Sequence, residues 1–438
     1  MKTKILIGIF LTCGLFVLGN QSQAYLFGMK SWDNTIENIQ RIEKEYAMDI
    51  PIVSFIFDPR GEHVEKMMGQ FTEKLGPDKI YHISLSPNSF SAKEVAEGKF
   101  DKEYRQFFQD IKKHNLRVIF RTMHEMNGGR YPRSSNPYWF KKAWIRVWNL
   151  SREEGIKQDN ILFTLSVNAW DLPAKGGNPS QTATFIHCQP NLKAKLKCPS
   201  FEDYYPGDKY VDLMGVTFYN RGKGNSNRRR GTPDQIVNNT SRRTLDRLKK
   251  FDKPIFVDEV GTTAVNYTGA YDFNTSREVY ETNKDLKNNR LSQLQKFLLR
   301  EERIVGAIYF NVDLTNGLRN RTLGELDWSV IDFANNKFYE KIMDIYETGK
   351  PNPYTALYTL FNVQRIKLGT TTHLVPSNYI KPVRDLYSDL QKYSSNLQAQ
   401  LAHLDTIKSS GSLSKKYKRF KKADLDMIVD VTKKFIQE

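Results

Sequence analysis

The sequence predicts an α/β fold: a (β/α)8 TIM barrel followed by a C-terminal α-helical extension. Three observations predict it. First, eight short apolar, β-branched runs alternate with amphipathic stretches between Tyr25 and Gly349. Strands separated by helices pair in parallel through right-handed crossovers, and eight such units close a barrel. Second, two of the runs end abruptly in a Glu followed closely by Gly. Carboxylates belong at the C-terminal mouth of a parallel barrel, because the packed layers below cannot hydrate them. Third, the alternation stops after Gly349 and gives way to helical spacing alone.

In chain order the strands are expected at Tyr25–Met29, Ile50–Phe57, Ile80–Leu85, Arg117–Met123, Ile161–Val167, Val211–Tyr219, Pro254–Glu259 and Val305–Asn311. The amphipathic stretches between them are Thr35–Tyr46, Glu62–Leu75, Asp101–Asn115, Pro137–Glu154, Thr232–Phe251, Thr275–Glu302 and Asn336–Glu347. Trp144 and Trp148 fall within a helical pattern and read as core. The fifth unit is irregular, since Trp170 to Pro206 carries two cysteines and no clear helix. Pro351 and Pro353 break the last barrel helix. Leu386, Leu390, Tyr393, Leu397, Leu401 and Leu404 then recur at helical spacing over Val383–Ile407. Ser409 to Ser412 reads as a hinge and Lys415 to Gln437 as a second helix. The basic run from Lys415 to Lys422 is either a solvated face or a contact with an anionic surface.

The first 24 residues have the order of a secretory signal peptide: Lys2 and Lys4, the nearly unbroken apolar run Ile5–Leu18, then Ser22-Gln23-Ala24. The apolar run is short for a membrane span of about 20 residues. The expectation is therefore residues 1–24 as a signal cleaved after Ala24, 25–349 as the barrel and 350–438 as the extension. The mature protein would be secreted or periplasmic. Cys13 leaves with the signal. Cys188 and Cys198 are expected to form one disulfide in an oxidising compartment, with two free thiols as the alternative. A zinc site would need more ligands nearby than His187 supplies. The net charge of +17 points, in an exported chain, to an acidic polysaccharide or an anionic surface rather than nucleic acid. A merely solvated basic surface is the bland alternative.

The chemistry is concentrated in Arg117–Arg133, where a buried strand ends in His124-Glu125-Met126-Asn127-Gly128-Gly129, and in Lys253–Gly261, which ends in Glu259. Two carboxylates from different strands at one mouth are what glycoside hydrolysis requires: one protonates the departing oxygen while the other attacks the anomeric carbon or activates water. In barrel order Glu125 ends the fourth strand and Glu259 the seventh, so the two face each other across the mouth. Arg121 shares the parity of Glu125 and sits beneath it, where it can neutralise the pair.

Four segments resemble glycoside hydrolase family 26, the endo-β-mannanases and related β-glucanases of a large retaining (β/α)8 clan. His124-Glu125-Met126-Asn127-Gly128 resembles the acid/base motif. Tyr204-Tyr205-Pro206-Gly207-Asp208, with Val211 to Gly215 and Tyr219-Asn220, resembles the sixth-strand signature. Pro254 to Gly261 resembles the nucleophile strand. Phe310-Asn311 with Asp327-Trp328 resembles the eighth-strand region. They occur in the family's order over Trp32 to Trp328. The resemblance implies Glu125 as general acid/base and Glu259 as nucleophile, with no metal and no cofactor. It implies that Tyr219 donates to the nucleophile and that His124 lies against the sugar, a structural histidine being the alternative. Asn168 and Trp170 are candidates for the sugar-binding wall, Asn127 and Tyr131 for substrate binding, and Tyr309 and Trp328 for a stacking platform, with aromatic core packing as the alternative.

Three features depart from the pattern. Arg130 and Arg133 stand where glucanase-like members carry tryptophans, and guanidinium groups suit carboxylate, phosphate or sulfate. Asp258 beside the nucleophile and Thr217-Phe218 are also atypical. The expected function is an exported retaining β-glycoside hydrolase, endo-acting on β-mannan, β-glucan or an acidic exopolysaccharide. Two rivals use the same residues: a catalytically silent barrel that binds glycan during polysaccharide export or surface attachment, and a transglycosylase.

Overall fold

Eight parallel strands close into one barrel in the computed structural model. It describes residues 25–437 except 32–33, 61–62, 77, 86–90, 128–135, 170–198, 223–230, 239–241, 273–276, 283, 313–327, 333–336, 350–355, 419 and 421. The first half runs β1 (Leu26–Ser31), α1 (Ile36–Tyr46), β2 (Ile52–Phe57), α2 (His63–Leu75), β3 (Ile80–Leu85), α3 (Ala92–Ala96), α4 (Asp101–Lys113), β4 (Val118–Thr122), α5 (Pro137–Glu153) and β5 (Ile161–Asn168). The second runs β6 (Leu213–Asn220), α6 (Pro233–Val237), α7 (Thr244–Leu248), β7 (Ile255–Thr262), β8 (Val265–Asp272), β9 (Arg277–Thr282), α8 (Lys284–Arg300), β10 (Ile304–Asn311), β11 (Ile331–Asp332), β12 (Lys337–Phe338) and α9 (Glu340–Thr348). Around the barrel the order is β1-β10-β7-β6-β5-β4-β3-β2, and β1 closes it by pairing with both β10 and β2.

Local sequence explains the helices. In α1 the Thr35 hydroxyl accepts from the Asn38 N–H, and Ile36, Ile39 and Ile42 form one buried stripe. In α5 Asn136 caps a start at Pro137, and Phe140, Ala143, Trp144, Val147 and Leu150 face the sheet. Trp144 is core, as its helical spacing suggests, and its Nε1 donates to the Tyr210 carbonyl at 2.8 Å. Two expected helices differ. The start of Thr275–Glu302 belongs instead to the antiparallel pair β8–β9, so α8 begins only at Lys284. Thr232–Phe251 is two short helices rather than one.

Inside the barrel, the N-terminal ends of the strands carry an apolar floor of Leu26, Ile52, Ile80, Ile119, Leu162, Leu213, Phe256, Val305 and Ile308. That floor is continuous with Leu357, Tyr358, Phe361 and Val363 of the extension. These belong to α10 (Ala356–Leu360), the turn after it and β13 (Val363–Leu368). The extension thus covers the lower mouth of the barrel. Polar contacts reinforce the seam: Asn362 Nδ2 donates to Asp159 Oδ1 at 3.1 Å, and His373 Nδ1 lies 2.9 Å from Asp78 Oδ2.

The extension is not wholly helical. β13 pairs antiparallel with β14 (Thr371–Pro376), and Gly369 takes the left-handed conformation at the turn with φ +61°. α11 (Ile380–Tyr393), α12 (Leu397–Ser409), α13 (Ser412–Lys416) and α14 (Lys422–Gln437) follow. The single helix expected over Val383–Ile407 breaks at Ser394–Asn396, where Asn396 caps α12. Ile366, Val375, Val383, Leu386, Leu390, Leu404, Ile428 and Val429 make this part's own core. Among the described residues, no helix is long and apolar enough to cross a membrane. The expected signal peptide and both Cys188 and Cys198 lie outside the described residues.

Candidate active site

Above the apolar floor, the inward positions of the strands turn polar: Ser54 on β2, His82 and Ser84 on β3, Arg121 on β4, Thr164 and Ser166 on β5, Asp258 and Glu259 on β7. All are buried. Arg121, 1 % exposed, is the hub. Its Nε donates to Ser166 Oγ at 3.0 Å and its Nη1 to Ser84 Oγ at 3.3 Å. The same Nη1 donates to Glu259 Oε1, so Arg121 pairs directly with Glu259. Tyr219, from β6, donates its hydroxyl to Glu259 Oε2.

These donors decide the charge of Glu259. Burial pushes its carboxyl up, but the Arg121 charge and the hydrogen bonds from Tyr219 and Arg121 reverse this and hold it below the usual carboxylate range. Burial and the Glu259 charge together push the Tyr219 phenol well above its ordinary value, so it stays a donor. Burial opposes the Arg121 charge, yet Glu259 and Asp258 outweigh it and raise its pKa.

Glu125 is held by a different set of groups. β4 ends with Met123 at φ +48° and Glu125 at φ +51°. Two non-glycine residues in the left-handed region cost on the order of 1–3 kcal/mol each and re-aim the chain as it leaves the strand. Period-2 parity therefore fails beyond Thr122. The Glu125 N–H donates to the Ser166 carbonyl at 2.9 Å. Its Oε1 accepts from Asn168 Nδ2 at 3.0 Å and from the Thr217 hydroxyl. Thr217 is also the Cα partner of Glu259 in the β6–β7 pairing. One residue therefore carries a donor to the first carboxylate and stands beside the second.

On the other side of Tyr219 stands an aromatic wall. Its ring packs on Trp328 with centroids 4.4 Å apart and planes at 34°, and Phe310 meets both rings edge-on. Gly261 makes this contact feasible, since a Cβ there would lie 2.8 Å from Trp328 Cγ and 3.0 Å from Tyr219 Cδ1. The Arg221 guanidinium lies 5.9 Å over the Trp328 ring. Two buried cations of α8 hold the flanking loops: Lys287 donates to the Ser329 carbonyl, and Arg290 Nη1 to the Thr263 carbonyl at 2.7 Å.

Glu125, Glu259, Tyr219, Asn168 and Trp328 thus converge at the mouth, and His124, next to Glu125 in the chain, is buried at 6 % exposure. One expected site residue needs correction. Tyr309 is not a stacking platform: it is fully buried on the outward face of β10, with its ring on Phe27 and its hydroxyl 3.3 Å from the Thr262 carbonyl. Phe310 takes the inward place. Asn127 acts as a brace, its Nδ2 donating to the Asn168 carbonyl and its Oδ1 accepting from the Asn168 N–H, both at 2.9 Å. Asn168, partly exposed, bonds the Glu125 carboxylate. Arg130, Tyr131, Arg133 and Trp170 lie outside the described residues.

The residues sequence reasoning missed are Thr217 as a donor, and the buried group Ser54, His82, Ser84, Thr164 and Ser166. Their signal was available as polar residues at alternate positions of otherwise apolar strands. Among the described residues, no group of three or more His, Cys, Asp or Glu is arranged to hold a metal ion.

The sequence model of glycosyl hydrolase family 26 matches residues 185–296. Endoglucanase H of Acetivibrio thermocellus is 23 % identical over 193 residues, 42 % of this chain and 18 % of that protein. The chain therefore spans less than a fifth of that curated relative. Among solved structures, GH26A from Muricauda sp. MAR_2010_75 is 14 % identical, with 66 % of this chain and 84 % of that one covered and a TM-score of 0.42. A double mutant of the Cellulomonas fimi endo-β-1,4-mannanase is 12 % identical, with 74 % and 71 % covered and a TM-score of 0.44.

Proposed function

We propose that this chain, a member of glycosyl hydrolase family 26, cleaves a β-linked polysaccharide with retention of configuration, Glu259 acting as nucleophile and Glu125 as general acid/base. The observation that carries this reading is the contrast between the two carboxylates. Glu259 is clamped by a guanidinium and a phenol that keep it ionised. Glu125, from a strand across the barrel, is aimed by the neutral donors Asn168 and Thr217.

In the first step Glu259 attacks the anomeric carbon while the Glu125 carboxyl protonates the departing glycosidic oxygen. In the second, Glu125 takes a proton from water as that water displaces Glu259, releasing the sugar. Arg121 and Tyr219 stabilise the departing Glu259 carboxylate. The wall of Tyr219, Trp328 and Phe310, with Trp328 buried, covers one side of the reacting centre. The name of the A. thermocellus relative, an endoglucanase, supports a glucan as substrate. Arg130 and Arg133, directly after the acid motif, and the basic chain favour a glycan carrying acidic groups. Export, with residues 1–24 removed and Cys188 bridged to Cys198, belongs to the same proposal, as does the placing of the catalytic domain at 25–349.

The test is release of reducing ends from a panel of neutral and acidic β-glycans by the wild type and by Glu259→Gln. Release by the wild type that the variant loses supports the proposal. Binding to a glycan without release by either protein identifies the silent barrel instead. A shift of products toward longer chains when a sugar acceptor is added identifies the transglycosylase.

A further inference from the structure

Two consecutive side chains of a strand point to opposite faces, yet Asp258 and Glu259 both face the barrel interior. Phe256 lies in the barrel floor, Val257 and Val260 lie in the outer layer against the helices, and both carboxylates lie between. The pairing shows how. Against β6, Val216 pairs with Val257 and the next residue, Thr217, with Glu259; against β10, Ala307 pairs with Val257 and Tyr309 with Val260. Asp258 is the extra residue of a β-bulge. Without the bulge, Glu259 would point outward among apolar side chains.

Asp258 is itself fully buried and held on several sides. His82 Nε2 lies 3.0 Å from its Oδ1, and the Thr164 hydroxyl donates to both carboxylate oxygens at 3.3 Å. The other His82 nitrogen, Nδ1, lies 2.8 Å from Ser54 Oγ. A carboxylate only accepts, so the neutral ring carries its proton on Nε2 and Nδ1 accepts from Ser54. Space is reserved on β6 as well: a Cβ on Gly215 would lie 1.8 Å from Asp258 Oδ2 and 2.5 Å from Thr164 Oγ1.

We propose that Asp258 is a positioning residue, whose carboxyl group, anchored by His82 and Thr164, fixes the bulge that turns Glu259 into the mouth. The proposal rests on the reading of Glu259 as nucleophile. The groups facing the two carboxylates are His82 and Ser84 from β3, Arg121 and Glu125 from β4, Thr164 and Ser166 from β5, and Tyr219 from β6. From the β10–β1 side, Lys30 is directed onto the Phe310 ring at 5.4 Å. Arg121 is thus the cation shared by Asp258 and Glu259.

The experiment compares the wild type, Asp258→Ala and Asp258→Asn on a glycan that the wild type cleaves, with kcat, KM and unfolding midpoints. Asp258→Ala is expected to lose about tenfold or more in kcat with KM within about twofold, because it disturbs the reacting group rather than binding. Asp258→Asn keeps an acceptor for His82 and is expected to recover about fivefold over Asp258→Ala. A kcat for Asp258→Ala within twofold of the wild type, or an Asp258→Asn that recovers nothing over Asp258→Ala, overturns the proposal. Nitrogen-15 NMR of the histidines separates failure of this idea from failure of the functional reading. It requires no substrate and should find His82 protonated on Nε2 and unchanging between about pH 5 and 8 in the wild type. A His82 that titrates like a free histidine overturns the anchor whatever the enzyme cleaves.

Discussion

Tyr219 donates its phenolic proton to Oε2 of Glu259 while its ring lies against Trp328. The same side chain therefore tunes the nucleophile and builds the wall beside it. Tyr219→Phe keeps the ring and removes only the donor. A hydrogen bond to a charged group contributes about 1.5–3 kcal/mol, so kcat should fall by about tenfold or more. The Glu259 carboxyl should rise toward its ordinary value, moving the acid limb of the pH–rate profile upward. An unchanged limb would mean that this bond does not hold the charge.

The depressed Glu259 carboxyl also makes a stability prediction. A group whose folded pKa lies below its unfolded value contributes stability above the unfolded value, about 4.3 for Glu. That contribution is lost as pH falls through the folded value. The unfolding midpoint of the wild type should exceed that of Glu259→Gln most clearly near neutrality, and the gap should narrow on acidification. A gap that widens in acid would reverse the assigned sign.

Asn168 bonds the acid/base Glu125 and is itself held by Asn127. Asn168→Ala should slow cleavage of unactivated glycans more than cleavage of substrates with good leaving groups, since only the former need full protonation of the departing oxygen. Equal losses on both kinds of substrate would place Asn168 in binding rather than in acid catalysis.

The extension forms the underside of the barrel. Phe361 is fully buried in the floor cluster, on the side away from the catalytic mouth. Phe361→Ala should cost about 3–5 kcal/mol of unfolding free energy with kcat of the folded protein near the wild-type value. A chain ending at Gly349 exposes the whole floor and is expected to aggregate or unfold, which denaturant titration and sedimentation would show. A folded, soluble truncated chain would mean that the floor seam contributes little.

The barrel was legible because eight apolar runs each end in turn chemistry and because Glu125 and Glu259 close two of them. The parity of Arg121 placed it under the carboxylates, although its partner is Glu259. Parity also held the answer for Tyr309: Ile308 lies in the floor and Phe310 in the wall, so Tyr309 between them faces outward with Ala307. Parity failed where the backbone departs from a regular strand, at Met123 and Glu125 with positive φ and at the Asp258 bulge. Nothing local in Val257-Asp258-Glu259-Val260 distinguishes one inward carboxylate from two. The floor helix α10 was obscure for a different reason. It is only five residues long, too short for helical periodicity to register, and its apolar side chains acquire meaning only against the open end of the barrel.

The central claim is that Glu259 forms a covalent bond to the sugar and Glu125 serves it as acid and base. The most direct measurement is the reaction of Glu259→Ala with an activated β-glycoside of the identified sugar, with and without azide. Near-complete loss of turnover is expected, restored by azide with an α-glycosyl azide as product, because the small anion enters the space left by the carboxylate and attacks once. Wild-type hydrolysis without azide, or a β-glycosyl azide, would contradict it.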